Sequence, residues 1–134
     1  MEKFYSRLNK KNLLHIVSHN ININDNRVDL TDEKLPLQVS RINLKNSVIK
    51  PHYHNLKQLH PNKIEPNECW IVMNGKLEIS LYDIDKSLIE NKTLIKGSIL
   101  VTLSGGHSIN SSSLDSEMVE IKLGPYENNG LKYY

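Results

Sequence analysis

Three short stretches of this chain carry side chains of the kinds that bind transition metals. His52 and His54 stand two residues apart, and in a strand such residues point to the same face. Two imidazoles held that close together can ligate one metal ion. Glu68 opens the strand-like run ECWIVMNG, and His107 follows two glycines in the segment SGGH. Separate strands would thus supply one metal centre, whose predicted ligands are His52, His54, Glu68 and His107.

The predicted ligand set indicates which ions and which chemistry to expect. Neutral imidazoles with one carboxylate suit a divalent ion of the borderline type, namely Mn, Fe, Ni, Cu or Zn. On an octahedral ion these ligands leave positions for water or for a bidentate hydroxy-acid, keto or enediol group. A metal acts there as a Lewis acid or lowers the pKa of a bound water. No side chain stands out as a general base, so the sequence identifies no catalytic residue.

Each predicted ligand has a plainer alternative. The histidine pair can lie on a surface strand, and Glu68 can face solvent in the same way. His107 can hydrogen-bond the backbone after its glycine turn. Residues 55–67, between the histidine pair and Glu68, are polar and contain two prolines, so they are not a regular strand or helix throughout. From this insert, His60 or Glu65 could replace a missing ligand.

Size and composition indicate one soluble domain. The chain has 134 residues, of which 38% are hydrophobic and 24% charged, which suits a single core. No apolar run approaches the roughly 18 residues of a membrane span, and the N-terminus lacks a signal-peptide pattern. The net charge is +2 with scattered lysines, which argues against nucleic-acid binding. A single cysteine excludes an intrachain disulfide framework. We expect a cytoplasmic protein that contacts neither membrane nor nucleic acid.

The N-terminal part differs in pattern from the rest. Residues 3–18 carry an imperfect apolar stripe at helical spacing, which predicts a short helix. The polar segment 20–26 should end that element, and residues 27–31 are strand-like. We therefore predict an N-terminal extension over residues 1–30, a helix plus a strand. Residues 31–134 form the second unit, a β-rich domain.

Alternation of apolar and polar residues dominates from Leu37 onward. The run CWIVMNGKLEISLYD predicts two strands joined by a type I′ turn at Asn74-Gly75, because both residues tolerate positive φ. Further strands follow, with turn signals between them, up to Leu123. Short strands at regular spacing without a βαβ pattern are typical of an antiparallel sandwich or small barrel.

These motifs together resemble the cupin superfamily. Its first motif is matched by His52-Tyr53-His54 and by Glu68 with Gly75, and its second by the stretch from Gly97 to His107. The sequence is most similar to small single-domain cupins that accompany bacterial surface-polysaccharide or sugar-modification genes. That likeness covers RVDLT, PHYH, ECWIVMNGKLEISLYD, LSGGH and VEIKLGPY. It implies an all-β cupin barrel, a jelly roll with a metal site formed by the predicted ligands. The gap between the histidine pair and Glu68 is longer than in the general pattern.

The resemblance leaves three functions open, because one fold hosts many chemistries. The first is a metal-dependent cupin that binds a small oxygen-rich molecule such as a sugar or sugar acid. In its enzymatic form this cupin would also transform the molecule, as an isomerase, epimerase or oxygenase. The second is a non-catalytic module that senses a ligand or metal. The third is a metal-free sugar-nucleotide ketoisomerase or epimerase, which would not need Glu68 or the Gly-Gly-His segment.

We also expect a homodimer. Small cupins resemble one half of a dimeric arrangement, in which an N-terminal segment lies along the neighbouring subunit. A symmetric partner would cover the sheet edges of both subunits at once. The N-terminal extension carries apolar side chains that a core of this size need not absorb: Phe4, Leu8, Leu13, Ile16, Ile21 and Ile23.

Overall fold

The computed structural model describes residues 2–8, 12–19, 26–32, 36–54, 68–103, 105–123 and 131–133. Within these ranges the chain forms strands and no helix, which confirms the all-β prediction. The strands are β1 (Glu2–Tyr5), β2 (Leu13–Val17), β3 (Arg27–Asp29), β4 (Leu37–Asn43), β5 (Ile49–His54), β6 (Glu68–Asn74), β7 (Lys76–Tyr82), β8 (Leu88–Ile95), β9 (Ile99–Thr102), β10 (Gly106–Ser112), β11 (Glu117–Leu123) and β12 (Leu131–Tyr133). None of the described residues belongs to a helix that could cross a membrane.

The predicted helix over residues 3–18 is wrong in the part that the structure describes. β1 and β2 pair as an antiparallel hairpin, which the bond from the Ser6 amide to the Asn12 carbonyl closes at 2.8 Å. The run LLHIV places apolar and β-branched residues next to one another, which suits a strand better than a helix. The guanidinium of Arg41 on β4 donates to the His19 carbonyl at 2.9 Å and so ties the end of this hairpin to the larger sheets.

Two five-stranded antiparallel sheets enclose the core. Sheet 1 has the strand order β3-β4-β11-β6-β9, and sheet 2 has the order β12-β5-β10-β7-β8. Alternation along each strand sends every second side chain into the space between the sheets. Both sheets contribute to the buried apolar cluster, which consists of Ile42, Leu44, Trp70, Val72, Leu77, Ile79, Ile109 and Met118.

The predicted hairpin at Asn74-Gly75 is wrong, because β6 and β7 belong to different sheets. A type I′ turn needs positive φ at both central residues, whereas only Gly75, at +74°, has it here. The chain turns a corner at Gly75 and passes from sheet 1 to sheet 2. A Cβ at Gly75 would lie 2.6 Å from the Ser116 Cα, so only glycine fits this corner.

The inner face of sheet 1 changes from apolar to polar along its strands. On β11, Met118 lies in the core, and Glu120 continues the same face two residues later. On β6, Val72 lies in the core, and the same face ends at Glu68. Both polar positions are buried. The fold thus places charged side chains at one end of an otherwise apolar interior.

Candidate metal centre

Both sheets contribute to the four predicted ligands. His52 and His54 lie on β5, and His107 lies on the adjacent strand β10, where it is the register partner of His52. Glu68 is the first residue of β6, in the opposite sheet. Period-two alternation keeps His52 and His54 on one face of their strand. The packing of sheet 2 against sheet 1 therefore brings the histidines to the carboxylate.

The structure brings His52, His54, Glu68 and His107 together. Each has one ligand-type atom, and these atoms all lie within 4.8 Å of one another. The Glu68 Oε2 lies 2.8 Å from the His54 Nε2 and 3.0 Å from the His107 Nε2. These three atoms are buried, yet none of them has a hydrogen bond of acceptable geometry. Buried polar atoms without partners are costly, and a shared cation would satisfy all three at once.

Neighbouring groups fix the orientation of the ligand side chains. The Trp70 Nε1 donates to the Glu68 Oε1 at 2.7 Å, which leaves Oε2 facing the histidines. The His52 Nδ1 lies 2.8 Å from the Lys50 carbonyl oxygen, so Nδ1 carries the proton and Nε2 carries the lone pair. The Thr102 Oγ1 lies 3.2 Å from the His107 Nδ1. Such outer contacts set the tautomer and direction of metal-binding imidazoles.

The imidazole rings also pack against one another. The rings of His52 and His107 meet edge to face, with centroids 4.6 Å apart, and those of His52 and His54 do so at 5.1 Å. The Trp70 indole contacts the His107 ring edge to face, also at 4.6 Å. His107 is fully buried. These contacts restrict ring rotation, so the donor atoms are held in position by the fold.

The charge states suit metal ligation. Burial, together with the neighbouring His107 and His54, lowers the pKa of His52 to about 4, although the hydrogen bond to the Lys50 carbonyl acts in the opposite direction. Burial raises the pKa of Glu68, but the close contacts with His107 and His54 outweigh it and hold the pKa well below the usual range. His52 is therefore neutral and Glu68 ionised near pH 7. Neutral imidazole and ionised carboxylate are the forms that bind metal.

Sequence reasoning missed a second group of charged residues beside the centre. Glu120 and Lys122 on β11 share a face with the core residue Met118, and Arg27 reaches Glu120 from β3. The alternation of β11 already gave the signal, because it assigned both residues to the inner face. However, β11 lies next to β6 because of the strand order in sheet 1, and the sequence does not reveal that order.

The alternative ligands His60 and Glu65 lie outside the residues that the structure describes.

Comparison with known proteins identifies the fold. No protein-family model and no curated protein matches the sequence. Among solved structures, oxalate decarboxylase from Bacillus subtilis at pH 4.6 matches with a TM-score of 0.58 and 17% identity, over 80% of this chain and 26% of that one. The chain has the cupin fold.

Two further structures of the same enzyme agree with that assignment. A variant with one tryptophan replaced by phenylalanine matches with a TM-score of 0.56 and 16% identity, over 74% of this chain and 24% of that one. A structure reported for the Mn(II) centres of the enzyme matches with a TM-score of 0.55 and 17% identity, over 73% and 24%. This chain spans about a quarter of the length of those chains.

Proposed function

We propose that this chain is a metal-binding cupin whose centre holds one divalent ion. The observation that carries the proposal is the meeting of Glu68 Oε2 with the Nε2 atoms of His54 and His107, all buried and without hydrogen-bond partners. The proposed ligands are His52, His54, Glu68 and His107. The donor set suits Mn, Fe, Ni, Cu or Zn, and the Mn(II) centres named for the similar enzyme support manganese among them.

The proposed ligand of the ion is a small oxygen-rich molecule such as a sugar or sugar acid. A bound metal would supply Lewis acidity to the oxygens that coordinate it. The chain itself orients the site: Trp70 donates a hydrogen bond to one oxygen of Glu68, and the edge-to-face packing of His52 and His107 restricts the rotation of their rings. His54 is the least buried of the proposed ligands, and this supports entry of the molecule at its side of the centre.

Metal analysis tests the proposal directly. Protein purified without added metal is expected to contain about one divalent ion per chain, as for a centre with a complete ligand set. His52→Ala is expected to lose most of that metal. His15→Ala is the matched control, because His15 is an exposed histidine of the N-terminal hairpin. Equal metal content in both variants would show that His52 is not a ligand.

The same preparation separates the metal-dependent function from the metal-free one. If the protein converts a nucleotide-sugar in the presence of a strong chelator, the ketoisomerase alternative is correct. If it binds metal and sugar acids without converting them, it is a sensing or binding module. If the protein binds a sugar or sugar acid and converts it only when metal is present, it is a metal-dependent enzyme.

The remaining parts of the proposal concern the cellular setting and the assembly. A cytoplasmic location and a link to bacterial surface-polysaccharide synthesis rest on the sequence pattern and its resemblance alone. The proposed homodimer has a further support, the exposed apolar side chains on the outer face of sheet 1. On β9, the side chains of Ile99 and Val101 are 62% and 50% exposed. The N-terminal hairpin adds exposed apolar groups, including Leu14.

A further inference from the structure

Strand β8 forms an edge of sheet 2 that faces solvent. Within the described ranges it pairs with β7 on one side and with no strand on the other. The side chains of residues 88–93 are all exposed. A long edge strand is a template for pairing with another chain, because its outward backbone groups have no strand partner. The open edge of β8 is therefore an interaction surface, and its sequence indicates the occupant.

Two hydrogen bonds show which backbone groups of β8 point to the open edge. The Asn91 amide donates to the Glu90 Oε1 at 3.1 Å, and the Ile95 amide donates to the Ser98 Oγ at 3.0 Å. These amides are thus directed away from β7. Backbone groups alternate in direction along a strand, so residues 91 and 93 both present their N–H and C=O groups to the open edge. An antiparallel strand that pairs there must place its own outward residues opposite them.

The order of charges on β8 selects one register for a second copy of the same strand. A two-fold axis at Glu90 would place this residue opposite itself, and an axis at Lys92 would do the same with the lysine. Like charges directly opposite one another are destabilising, whereas opposite charges attract. An axis at Asn91 keeps the outward residues paired and places Glu90 opposite Lys92 of the second copy, twice. Charge complementarity therefore favours a second β8, paired about Asn91.

Charged residues on an edge strand usually prevent pairing, and here they also limit it to this register. In this register Leu88 faces Leu94 of the second copy, and Ile89 faces Thr93. The side chains of Leu88 and Ile89 are 54% and 62% exposed, so the contact would cover apolar surface. The pairing of β8 with β7 is regular only from Glu90 onward, which keeps the contact short.

A contact of this length is weak. Each backbone hydrogen bond contributes about 0.5–1.5 kcal/mol net, and association costs at least about 4 kcal/mol. We therefore expect a Kd of about 0.1–1 mM, at the low end of specific protein contacts.

We propose that the open edge of β8 binds β8 of a second copy of this chain, antiparallel about a two-fold axis at Asn91. The contact is isologous, since both copies present the same surface, and it joins sheet 2 of one copy to sheet 2 of the other. It is separate from the outer face of sheet 1 and from the N-terminal hairpin. It links the proposed homodimers at concentrations above those at which they form, and it does not depend on the proposed metal centre.

Cysteine cross-linking tests the register, because a disulfide traps a weak contact. Asn91→Cys is placed in a Cys69→Ser chain, so that it carries the sole thiol. Two residues that exchange backbone bonds have Cα atoms about 5.5 Å apart, which a disulfide can span. Thr93→Cys in the same chain is the matched control, because its two thiols would stand four residues apart, about 13 Å along the strand. Oxidised glutathione is expected to yield at least about 10-fold more covalent dimer from Asn91→Cys than from Thr93→Cys.

Charge reversal tests the complementarity. Adding Glu90→Lys to the Asn91→Cys chain places lysines opposite one another on both sides of the axis, and the covalent dimer should fall about 5- to 100-fold. Adding Lys92→Glu as well restores opposite charges, both across the contact and within the strand, and should restore the dimer. Each yield is divided by the rate at which the same thiol reacts with a small aromatic disulfide, which removes differences in thiol reactivity.

Three results would overturn the inference: equal cross-linking of Asn91→Cys and Thr93→Cys, an unchanged yield with Glu90→Lys, or no recovery with the double reversal. If Asn91→Cys does not fold, an equimolar mixture of Glu90→Cys and Lys92→Cys chains replaces it, because these residues face each other across the axis. Only the mixture should then cross-link, and a mixture without covalent heterodimer is equally decisive. None of these measurements involves metal, so the outcome is independent of the proposed centre.

Discussion

His54 and Glu68 lie on strands of different sheets, yet the His54 Nε2 and the Glu68 Oε2 are 2.8 Å apart. This contact crosses the interior and exists only when sheet 1 and sheet 2 are packed together. An ion bound between these atoms would therefore link the two sheets. Metal binding and folding stability should be coupled, because a ligand that binds only the native state stabilises it.

We expect removal of the metal to lower the melting temperature of the wild type. At a metal concentration a hundredfold above Kd, binding contributes about 2.7 kcal/mol, which corresponds to about 5–15 °C for a chain of this size. Differential scanning calorimetry with and without a chelator measures the shift. His52→Ala should melt at a lower temperature than metal-loaded wild type and should not respond to the chelator. An equal response of the two proteins would place the stabilising metal elsewhere.

We expect the metal-free protein to lose stability as the pH falls from about 6.5 to about 4. Burial lowers the pKa of His52 to about 4 in the folded state, so over this range the unfolded chain binds a proton that the folded chain does not. The loss attributable to His52 is about 3 kcal/mol when complete. Urea unfolding of wild type and His52→Asn at pH 7 and at pH 4 isolates the contribution of His52 to this loss of stability. The stability difference between the two proteins should shrink by that amount, and a constant difference would contradict the assignment.

The sequence predicts the strands of this fold better than their partners. Alternation located β4 and β11 correctly, because each strand buries one face more deeply than the other. It could not assign strands to sheets, and the supposed hairpin at Asn74-Gly75 is in fact a corner between sheets. Strand pairing depends on contacts far apart in sequence. The error over residues 3–18 has a local cause: the imperfect apolar stripe at helical spacing was given more weight than the adjacent apolar and β-branched residues of LLHIV, which favour a strand.

The four proposed ligands could be predicted from the sequence because the spacing of residues along each strand indicates which side chains share a face. His52 and His54 share a face by period two, and Glu68 shares one with Trp70 for the same reason. The role of Trp70 as a donor to Glu68, and the position of Lys122 beside it, depend on rotamers and on sheet order. Neither follows from a pattern along one strand.

Trp70→Phe should weaken metal binding more than its loss of volume suggests. The indole Nε1 donates to the Glu68 Oε1 at 2.7 Å in a fully buried position, and phenylalanine has no such donor. Loss of a supporting contact to a ligand typically reduces metal affinity by about 10- to 100-fold. Competition with a chromophoric chelator measures it. Val72→Ala, one inner-face position further along β6, should lower stability and leave the metal affinity unchanged.

Gly75→Ala should destabilise the protein more than Gly97→Ala. Both glycines have positive φ, +74° and +86°, so alanine at either position costs about 1–2 kcal/mol of backbone strain. At Gly75 the new Cβ would also meet the Ser116 Cα at 2.6 Å, whereas at Gly97 it meets nothing within 4 Å. Chemical denaturation of the two variants should therefore separate them by more than 1 kcal/mol, on the scale of overpacking costs of about 1–3 kcal/mol. Equal losses would mean that the corner adjusts freely.

Two surfaces could form the interface of the proposed homodimer, and a single substitution can test each surface. On sheet 1, Val101 on the outer face of β9 is in register with Cys69 on β6, which pairs in turn with Ile121 on β11, so partly apolar side chains continue across the sheet. On the N-terminal hairpin, Leu14 is 57% exposed. Burying a charge in an apolar interface is costly, so a lysine at the true contact should dissociate the dimer.

We expect full-length protein at tens of micromolar to be dimeric in light scattering, and Leu14→Lys to shift it towards the monomer. The reason is that the N-terminal hairpin exposes apolar side chains and contacts the larger sheets through the Arg41 bond to the His19 carbonyl, which leaves its own apolar groups available to a neighbour. Ile84→Lys, at an exposed turn between β7 and β8, is the control and should remain dimeric. Dissociation by Val101→Lys alone would move the interface to the outer face of sheet 1. A monomeric wild type would end the dimer proposal for both surfaces.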